Sequence, residues 1–183
     1  DATKHLLDEL RQVAPALVDD LVPSRLSVAA VQKVLQGLLA ESIPIRQLGI
    51  IMESLGEASR QTEDTDAQIE IVRSRLSRTL CTQLSDPQRI LRAILFDTDA
   101  VEALDSSNFQ DVTCNAIRQA VKNLVAEGYP PVVLVGPRIR RPFKQAMMDA
   151  GIWTHVLSTA EISSDTEIQI FSNVNRRPAT AAA

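Results

Sequence analysis

Residues 132–141, Val-Val-Leu-Val-Gly-Pro-Arg-Ile-Arg-Arg, decide the fold of the C-terminal half of the chain. The first four residues are wholly apolar, which is typical of a strand covered on both faces. A Gly-Pro pair ends this run, and apolar residues then recur at helical spacing over residues 138–149. The stretch therefore predicts a strand followed at once by a helix, as in an α/β lobe.

Further elements flank this strand and helix. Residues 89–96 are a strand candidate, and a periodic helix follows from Phe109 to Leu124. Capping-box spacing at Ser107 and Gln110 opens that helix. Short strands are also expected near 153–157 and 167–171, followed by a loose tail over 175–183. The order β-α-β-α-β-β predicts a small mixed sheet covered by two helices.

The preceding residues, 1–85, follow helical patterns. An opening helix or helix pair ends near Val22, and Ser27 can cap the next helix. A Ser-Ile-Pro-Ile-Arg break at 42–46 separates that helix from another. Thr65 and Gln68, at capping-box spacing, open a last helix that continues to Leu84.

At Asp86-Pro87 the pattern changes from helix to strand. We therefore predict an α+β chain with an all-helical lobe over 1–85 and a mixed α/β lobe over 86–174. The Asp-Pro pair disfavours continuation of the helix, and few residues could build a broad junction there. We expect the two lobes to move about residues 84–88.

Composition narrows the functional classes. Hydrophobic residues make up 45% of the 183 residues but aromatic residues only 3%, and the net charge is -4. Basic and acidic residues number 9 and 12 up to Ser85 and 10 and 11 after it, so neither lobe is a polycation and nucleic-acid binding is disfavoured. No apolar run approaches about 18 residues and no signal peptide is present. A first residue other than Met suggests a fragment, with any membrane anchor upstream.

Motifs for catalysis, cofactors and metals are absent from the sequence. The two histidines, His5 and His155, are far apart, and Cys81 and Cys114 lack metal-binding spacing. Asp97 and Asp99 follow a strand end, but two carboxylates there are more often turn residues. There is no P-loop and no GxSxG nucleophile elbow. We therefore expect a chain that is not an enzyme and binds no cofactor or metal.

One junction carries a concentration of positive charge. Arg138, Arg140 and Arg141 follow Gly136-Pro137, where an apolar strand passes into a helix. Backbone N–H groups at a helix start, together with three Arg side chains, could receive an anion. A single glycine is a weak signal for an anion-binding loop. It therefore favours the alternative, that Pro137 starts the helix and the Arg side chains form its solvated face. A third interpretation, intermediate between these two, is that the Arg side chains bind a carboxylate of a protein partner.

Three blocks of sequence resemble a known family. They are residues 14–48, from Ala-Pro-Ala-Leu-Val-Asp-Asp to Ile-Pro-Ile-Arg-Gln-Leu, residues 131–140, Pro-Val-Val-Leu-Val-Gly-Pro-Arg-Ile-Arg, and residues 156–162, Val-Leu-Ser-Thr-Ala-Glu-Ile. The chain, apart from its tail, is similar to the export-gate family of bacterial type III secretion, the FlhA family and its injectisome counterparts. The Pro-Arg-Ile-Arg string favours the flagellar branch, and the injectisome branch stays open.

The resemblance implies a scaffold and docking element of a protein-export gate. The family consists of multi-pass inner-membrane proteins whose cytoplasmic region forms a nonameric ring, so this chain would supply the third and fourth cytoplasmic subdomains. The implied partners are further copies of the chain, other export-apparatus proteins and chaperone-cargo complexes, which dock mainly on subdomains absent here. Two positions depart from the family: Gln47 replaces a usual aspartate, and Gly136 a common serine or cysteine. The first removes the carboxylate that the family usually has beside Arg46.

A ring of identical subunits needs a head-to-tail contact between two different patches. We predict that the turn Ile43-Pro44-Ile45-Arg46 lies at or beside one patch, because Pro44 makes the turn rigid. The acidic loop with Glu63, Asp64 and Asp66 is the candidate receiver. For Ile43 and Ile45, capping of the lobe's own core is an equal alternative.

Two other functional classes remain open. A nucleic-acid-binding or regulatory module would show tight, strongly salt-dependent binding of random oligonucleotides. A small-molecule enzyme using the loop at Gly136 would be stabilised by phosphate or nucleotide.

Overall fold

A computed structural model describes residues 2–22, 26–98, 104 and 109–174. The chain divides into two compact units, Asp1–Leu80 and Cys81–Ala183. The division falls inside a helix, upstream of the predicted boundary at residue 85. The stretch 84–88 belongs to the second unit, and motion about it stays a prediction.

The first unit is helical, as the periodicity predicts. Its connections are short, and the opening helix pair is separated by Ala14 ahead of a proline at the first helical position. The helices are α1 Ala2–Val13, α2 Pro15–Leu21, α3 Val28–Ala40, α4 Leu48–Gln61, α5 Thr65–Arg75 and α6 Ser77–Leu84, the last of which crosses into the second unit.

The two predicted helix caps in this unit have different outcomes. Ser27 is confirmed as the cap of α3, since its Oγ accepts a hydrogen bond from the Ala30 N–H at 3.1 Å. The prediction that Thr65 caps α5 is wrong. Asp64 is the cap, and its Oδ1 accepts a hydrogen bond from the Asp66 N–H at 3.2 Å. The Gln68 side chain instead donates to the Thr62 carbonyl at 2.9 Å.

The prediction of one unbroken helix to Leu84 is also wrong. The chain leaves the helix at Leu76, where φ is -90° and ψ is 9°, and resumes as α6 at Ser77. The Leu76 N–H is shared between the carbonyls of Val72 and Arg73, at 3.2 and 3.0 Å. Leu76 is buried, so the break turns an apolar side chain into the core without leaving its N–H unpaired.

The end of α3 fixes the direction of the following turn. Ser42 takes a left-handed φ of 61°, its N–H donates to the Leu39 carbonyl at 2.9 Å, and the Ile43 N–H donates to the Leu38 carbonyl at 3.0 Å. This pair of bonds is a Schellman motif, in which the residue after the left-handed position packs against the helix. Ile43 is accordingly buried.

The second unit contains a four-stranded sheet. Its strands are β1 Ile90–Leu95, β2 Val132–Val135, β3 His155–Ser158 and β4 Glu167–Asn173, in the order β3-β2-β1-β4. All pairings among them are parallel, so the predicted mixture of strand directions is wrong. The predicted strand at 153–157 begins later, at His155. A register shift between Ala93 and Ile94 interrupts the pairing of β1 with β4.

Two helices pack on this sheet. They are α7, Cys114–Ala126, which follows a π-helical turn over Phe109–Thr113, and α8, Arg140–Asp149. The predicted cap at Ser107 lies outside the described residues. Three phenylalanines join the layers: the Phe96 ring lies 4.9 Å from Phe143 and 5.9 Å from Phe109 between centroids. These rings belong to one buried cluster with Ile94, Val133 and Val156 of the strands.

Candidate functional site

The predicted self-association turn lies between α3 and α4, and only part of it is accessible. Pro44 and Ile45 are half-buried and Arg46 is exposed. The neighbouring Gln47 accepts a hydrogen bond through Oε1 from the Thr79 hydroxyl at 2.7 Å, which anchors the turn to α6. Ile43 is 2% exposed. For Ile43, the interpretation that it caps the core of its own unit is therefore confirmed, and Ile43 is not a surface residue.

Two exposed apolar side chains that the sequence pattern did not predict flank this turn. Leu39 near the end of α3 is 51% exposed, and Ile50 in the first turn of α4 is 43% exposed. We call Leu39, Ile45, Arg46 and Ile50 the turn surface. Leu39 continues the helical stripe that predicts a core for α3, so its spacing did not distinguish it from buried neighbours.

The acidic loop lies at the other end of α4. Glu63 and Asp64 are exposed, whereas Asp66 is half-buried in the first turn of α5. Helix α4 has 14 residues, which at 1.5 Å per residue separates its two ends by about 20 Å. A turn and a loop at opposite ends of one helix are too far apart to neutralise each other within one copy.

The three candidate docking arginines do not share one exposed face. Arg138 and Arg141 are exposed, but Arg140 is 1% exposed and donates from Nη1 to the Val156 carbonyl at 3.5 Å. The expectation that Arg140 presents its charge to a partner is therefore wrong. Because Val156 lies in the edge strand β3, the Arg140 side chain serves a carbonyl that no further strand of the described sheet reaches.

An exposed tryptophan is the main surface feature that the sequence analysis missed. Trp153, the one tryptophan of the chain, is 65% exposed, and Met148 is 55% exposed. The Trp153 ring packs edge to face with His155 at 5.0 Å between centroids. The strand prediction at 153–157 placed Trp153 inside an alternating strand. The start of β3 at His155 instead leaves it in the connection from α8.

The titratable cluster at the start of β1 is structural. Asp86 accepts hydrogen bonds from the Arg92 guanidinium at 2.7 Å and from the Gln88 and Ile90 N–H groups at 3.0 and 2.9 Å. The bond from Arg92, followed by that from Ile90, lowers the pKa of Asp86 below its ordinary value. The guanidinium of Arg92 also lies over the Tyr129 ring, 4.3 Å from its centroid.

An open cavity of about 290 Å³ adjoins this cluster, lined by Arg92, Glu127, Tyr129, Gln169, Ile170 and Phe171. It contains no nucleophile paired with a base. Both cysteines are buried, and burial raises the pKa of Cys114. Asp97 is exposed, and Asp99 lies outside the described residues.

Within residues 2–22, 26–98, 104 and 109–174, no three His, Cys, Asp or Glu side chains form a group that could hold a metal ion. In the same ranges, no helix has the length and apolar character needed to cross a bilayer. Accessible features of these residues include the turn surface, the acidic loop, and the exposed side chains around Trp153. Exposed apolar side chains with charged side chains nearby in the chain are typical of protein–protein contacts.

Comparison with known proteins agrees with the resemblance seen in the sequence. The chain is 32% identical to the flagellar biosynthesis protein FlhA of Treponema pallidum, over 90% of this chain and 26% of that protein. It thus spans about a quarter of the length of the curated relatives it matches.

Solved structures agree as well. The structure of the Shigella flexneri MxiA protein matches with a TM-score of 0.80 at 26% identity, over 94% of this chain and 58% of that one. The nonameric EscV cytosolic domain from the type III secretion system matches with a TM-score of 0.75, also at 26% identity, over 95% and 55%. The sequence profile of the FHIPEP family matches residues 1–167. The chain belongs to the FHIPEP family.

Proposed function

We propose that the chain is a scaffold and docking element of a bacterial type III protein-export gate, flagellar or injectisome. It forms the C-terminal part of a cytoplasmic region, with the helical unit as the third subdomain and the α/β unit as the fourth. The longer protein is anchored in the inner membrane, and the region assembles as a ring. Export apparatus proteins and chaperone-cargo complexes dock on that ring.

The observation that carries this proposal is the family match over residues 1–167, together with the likeness to a cytosolic domain whose structure is a nonamer. The family match supports the proposed role in protein export. A closed ring of identical copies requires two different, complementary patches on each copy. The helical unit offers both, an apolar and basic turn surface at one end of α4 and an acidic loop at the other.

The contact in the ring joins the turn surface of one copy to the acidic loop of the next. Leu39, Ile45 and Ile50 supply apolar area, and Arg46 supplies a charge that meets Glu63 or Asp64 of the neighbour. Charge complementarity of this kind fixes the register of an interface and penalises wrong partners. The unit carries both signs of charge at separate places, so the same contact can repeat around a ring.

Replacement of Arg46 by Glu tests this contact. In the cytoplasmic region of the longer protein, sedimentation velocity should show loss of the ring, because the change places two like charges across the interface. Monomer melting should stay within about 0.5 kcal/mol of the original, as for other surface substitutions. Lys33→Glu, an equal charge reversal on the exposed side of α3, should leave assembly intact.

Two outcomes would contradict the proposed contact. Unchanged assembly of Arg46→Glu would remove Arg46 from the interface, and a large loss of monomer stability would make its role internal. A charge swap refines the test: if Glu63 receives Arg46, combining Arg46→Glu with Glu63→Arg should restore assembly. If deleting these 183 residues from the longer protein leaves secretion unchanged, the proposed function itself is wrong.

A further inference from the structure

A second surface, in the α/β unit, is built around the exposed tryptophan. Helix α8 carries Arg141, Gln145 and Met148 at intervals of four and three residues, which places them in one stripe. All three are exposed. We call this stripe together with Arg138 and Trp153 the Trp153 surface.

A helix-ending motif brings Trp153 to the end of that stripe. Gly151 has a left-handed φ of 64°, its N–H donates to the Met148 carbonyl at 3.0 Å, and the Ile152 N–H donates to the Met147 carbonyl at 2.8 Å. This Schellman motif folds the chain back against the last turn of α8. Trp153 follows directly, at the end of α8 that carries Met148.

The backbone on either side holds the tryptophan outward. Ile152 is 5% exposed and Thr154 is 1% exposed, whereas Trp153 between them is 65% exposed. The Thr154 hydroxyl donates to the Pro131 carbonyl at 2.8 Å, and the Lys144 ammonium donates to the Thr154 carbonyl at the same distance. Because the backbone around Trp153 is held by these bonds, little further conformational entropy of the backbone is lost when a partner covers the side chain.

The neighbouring sheet edge is closed to an added strand. On the free side of β3, the Val156 carbonyl accepts from Arg140 at 3.5 Å, and the Ser158 N–H donates to the Glu161 carboxylate at 2.7 Å. Lys144 occupies the Thr154 carbonyl just before the strand. A partner strand would have to displace these side chains, so contact through exposed side chains, as a helix provides, is favoured over strand addition.

The charge of residues 138–155 favours an acidic partner. From residue 138 to residue 155 the chain has four basic side chains, at 138, 140, 141 and 144, and one acidic side chain, Asp149. Asp149 accepts a hydrogen bond from the Gln145 side chain at 2.8 Å, and Arg140 is buried. Positive charge therefore lies at the Arg138 and Arg141 end of the surface, and apolar area lies at the Met148 and Trp153 end.

We propose that the Trp153 surface docks an amphipathic helix of a partner protein, with acidic side chains on Arg138 and Arg141 and an apolar side chain on Trp153. The proposal deepens the docking role given above and rests on it. Trp and Arg are the residues that most often dominate the energy of protein interfaces, and here they bracket one helix-length stripe. About 10 Å separates positions 141 and 148 along α8, which matches two turns of a docked helix.

Photo-crosslinking in native cells tests this surface. The full-length protein would carry p-benzoylphenylalanine at position 148, and at position 112 as a control, since Val112 is 61% exposed outside the surface. Position 148 should crosslink to a helical segment of another protein with acidic residues at helical spacing, and position 112 should not. Trp153→Ala or Arg141→Glu should lower that yield about thirtyfold, the loss typical of a dominant interface residue.

Any other outcome of the crosslinking at position 148 contradicts the inference. A crosslink to a second copy of the chain, to lipid or to a segment without acidic residues would overturn it, as would no specific crosslink. Secretion measured in the same strains separates this inference from the proposed function. If Trp153→Ala removes no crosslink while the unaltered protein supports secretion, the docking surface is wrong and the export role stands. If deletion of the chain leaves secretion unchanged, the export role fails.

Discussion

Arg73 and Glu41 form an ion pair between α5 and the end of α3, with Nη1 and Oε2 3.0 Å apart and side chains 2% and 15% exposed. Glu41 lies at the C-terminal cap of α3, where the helix dipole disfavours a negative charge. Its location is therefore explained by Arg73, whose charge is buried and needs a counterion.

Glu41→Ala should destabilise the chain by about 3 kcal/mol in urea unfolding, because it removes one partner of a buried ion pair. Glu57→Ala is the matched control, since Glu57 pairs with Arg75 at 2.7 Å but both side chains are more than half exposed. That change should cost less than about 1 kcal/mol. A small gain in stability for Glu41→Ala would mean that only the helix dipole matters there.

Ser42→Gly should stabilise the chain by about 0.5–1 kcal/mol. Ser42 has a left-handed φ of 61°, which glycine adopts without the steric cost that a Cβ imposes. Gly151→Ala is the converse change, at a φ of 64° in the second Schellman motif, and should destabilise by a similar amount. Thermal melting of both variants checks the pair, and equal signs for the two changes would contradict the backbone explanation.

The helical and strand patterns predicted most of the elements but not the way they join. Leu76 breaks a periodic stretch without glycine or proline, because burying its side chain and sharing its N–H outweigh continuation of the helix. The direction of β4 depends on its pairing with β1, from Ile90 opposite Glu167, which no local pattern encodes. Contacts at such sequence separation decide topology, whereas periodicity reports only which face is apolar.

Local sequence patterns predict even less about which side chains reach the surface. Arg140 and Arg141 are adjacent in the same basic run, yet only Arg141 is exposed, because the first faces the β3 edge. Trp153 is exposed although aromatic residues usually lie in cores, and its exposure follows from where α8 ends. The sequence supplied the candidate turn and the basic run. The fold sorted their members into buried and accessible ones.

Asp86→Asn should lower the urea midpoint at pH 7. The hydrogen bond from Arg92 depresses the pKa of Asp86, so the stability that this carboxylate contributes is present above the unfolded-state pKa of about 3.9 and is lost as pH falls through the lower folded value. The difference between Asp86→Asn and the original chain should therefore shrink below pH 4. Glu53→Gln, which removes a carboxylate at an exposed position in α4, should leave the urea midpoint at pH 7 nearly unchanged.

Arg140→Ala should destabilise the chain by about 2–3 kcal/mol, because it deletes a buried side chain together with its hydrogen bond to the Val156 carbonyl. The same change also uncovers the edge of β3, so light scattering should rise at high protein concentration as edges of different copies pair. Arg141→Ala, one residue later on the exposed face, should change stability by no more than about 0.5 kcal/mol and leave scattering unchanged. If both variants unfold alike, Arg140 does not protect the edge. If Arg141→Ala aggregates while Arg140→Ala does not, the positive surface charge, and not the covered strand, keeps the copies apart.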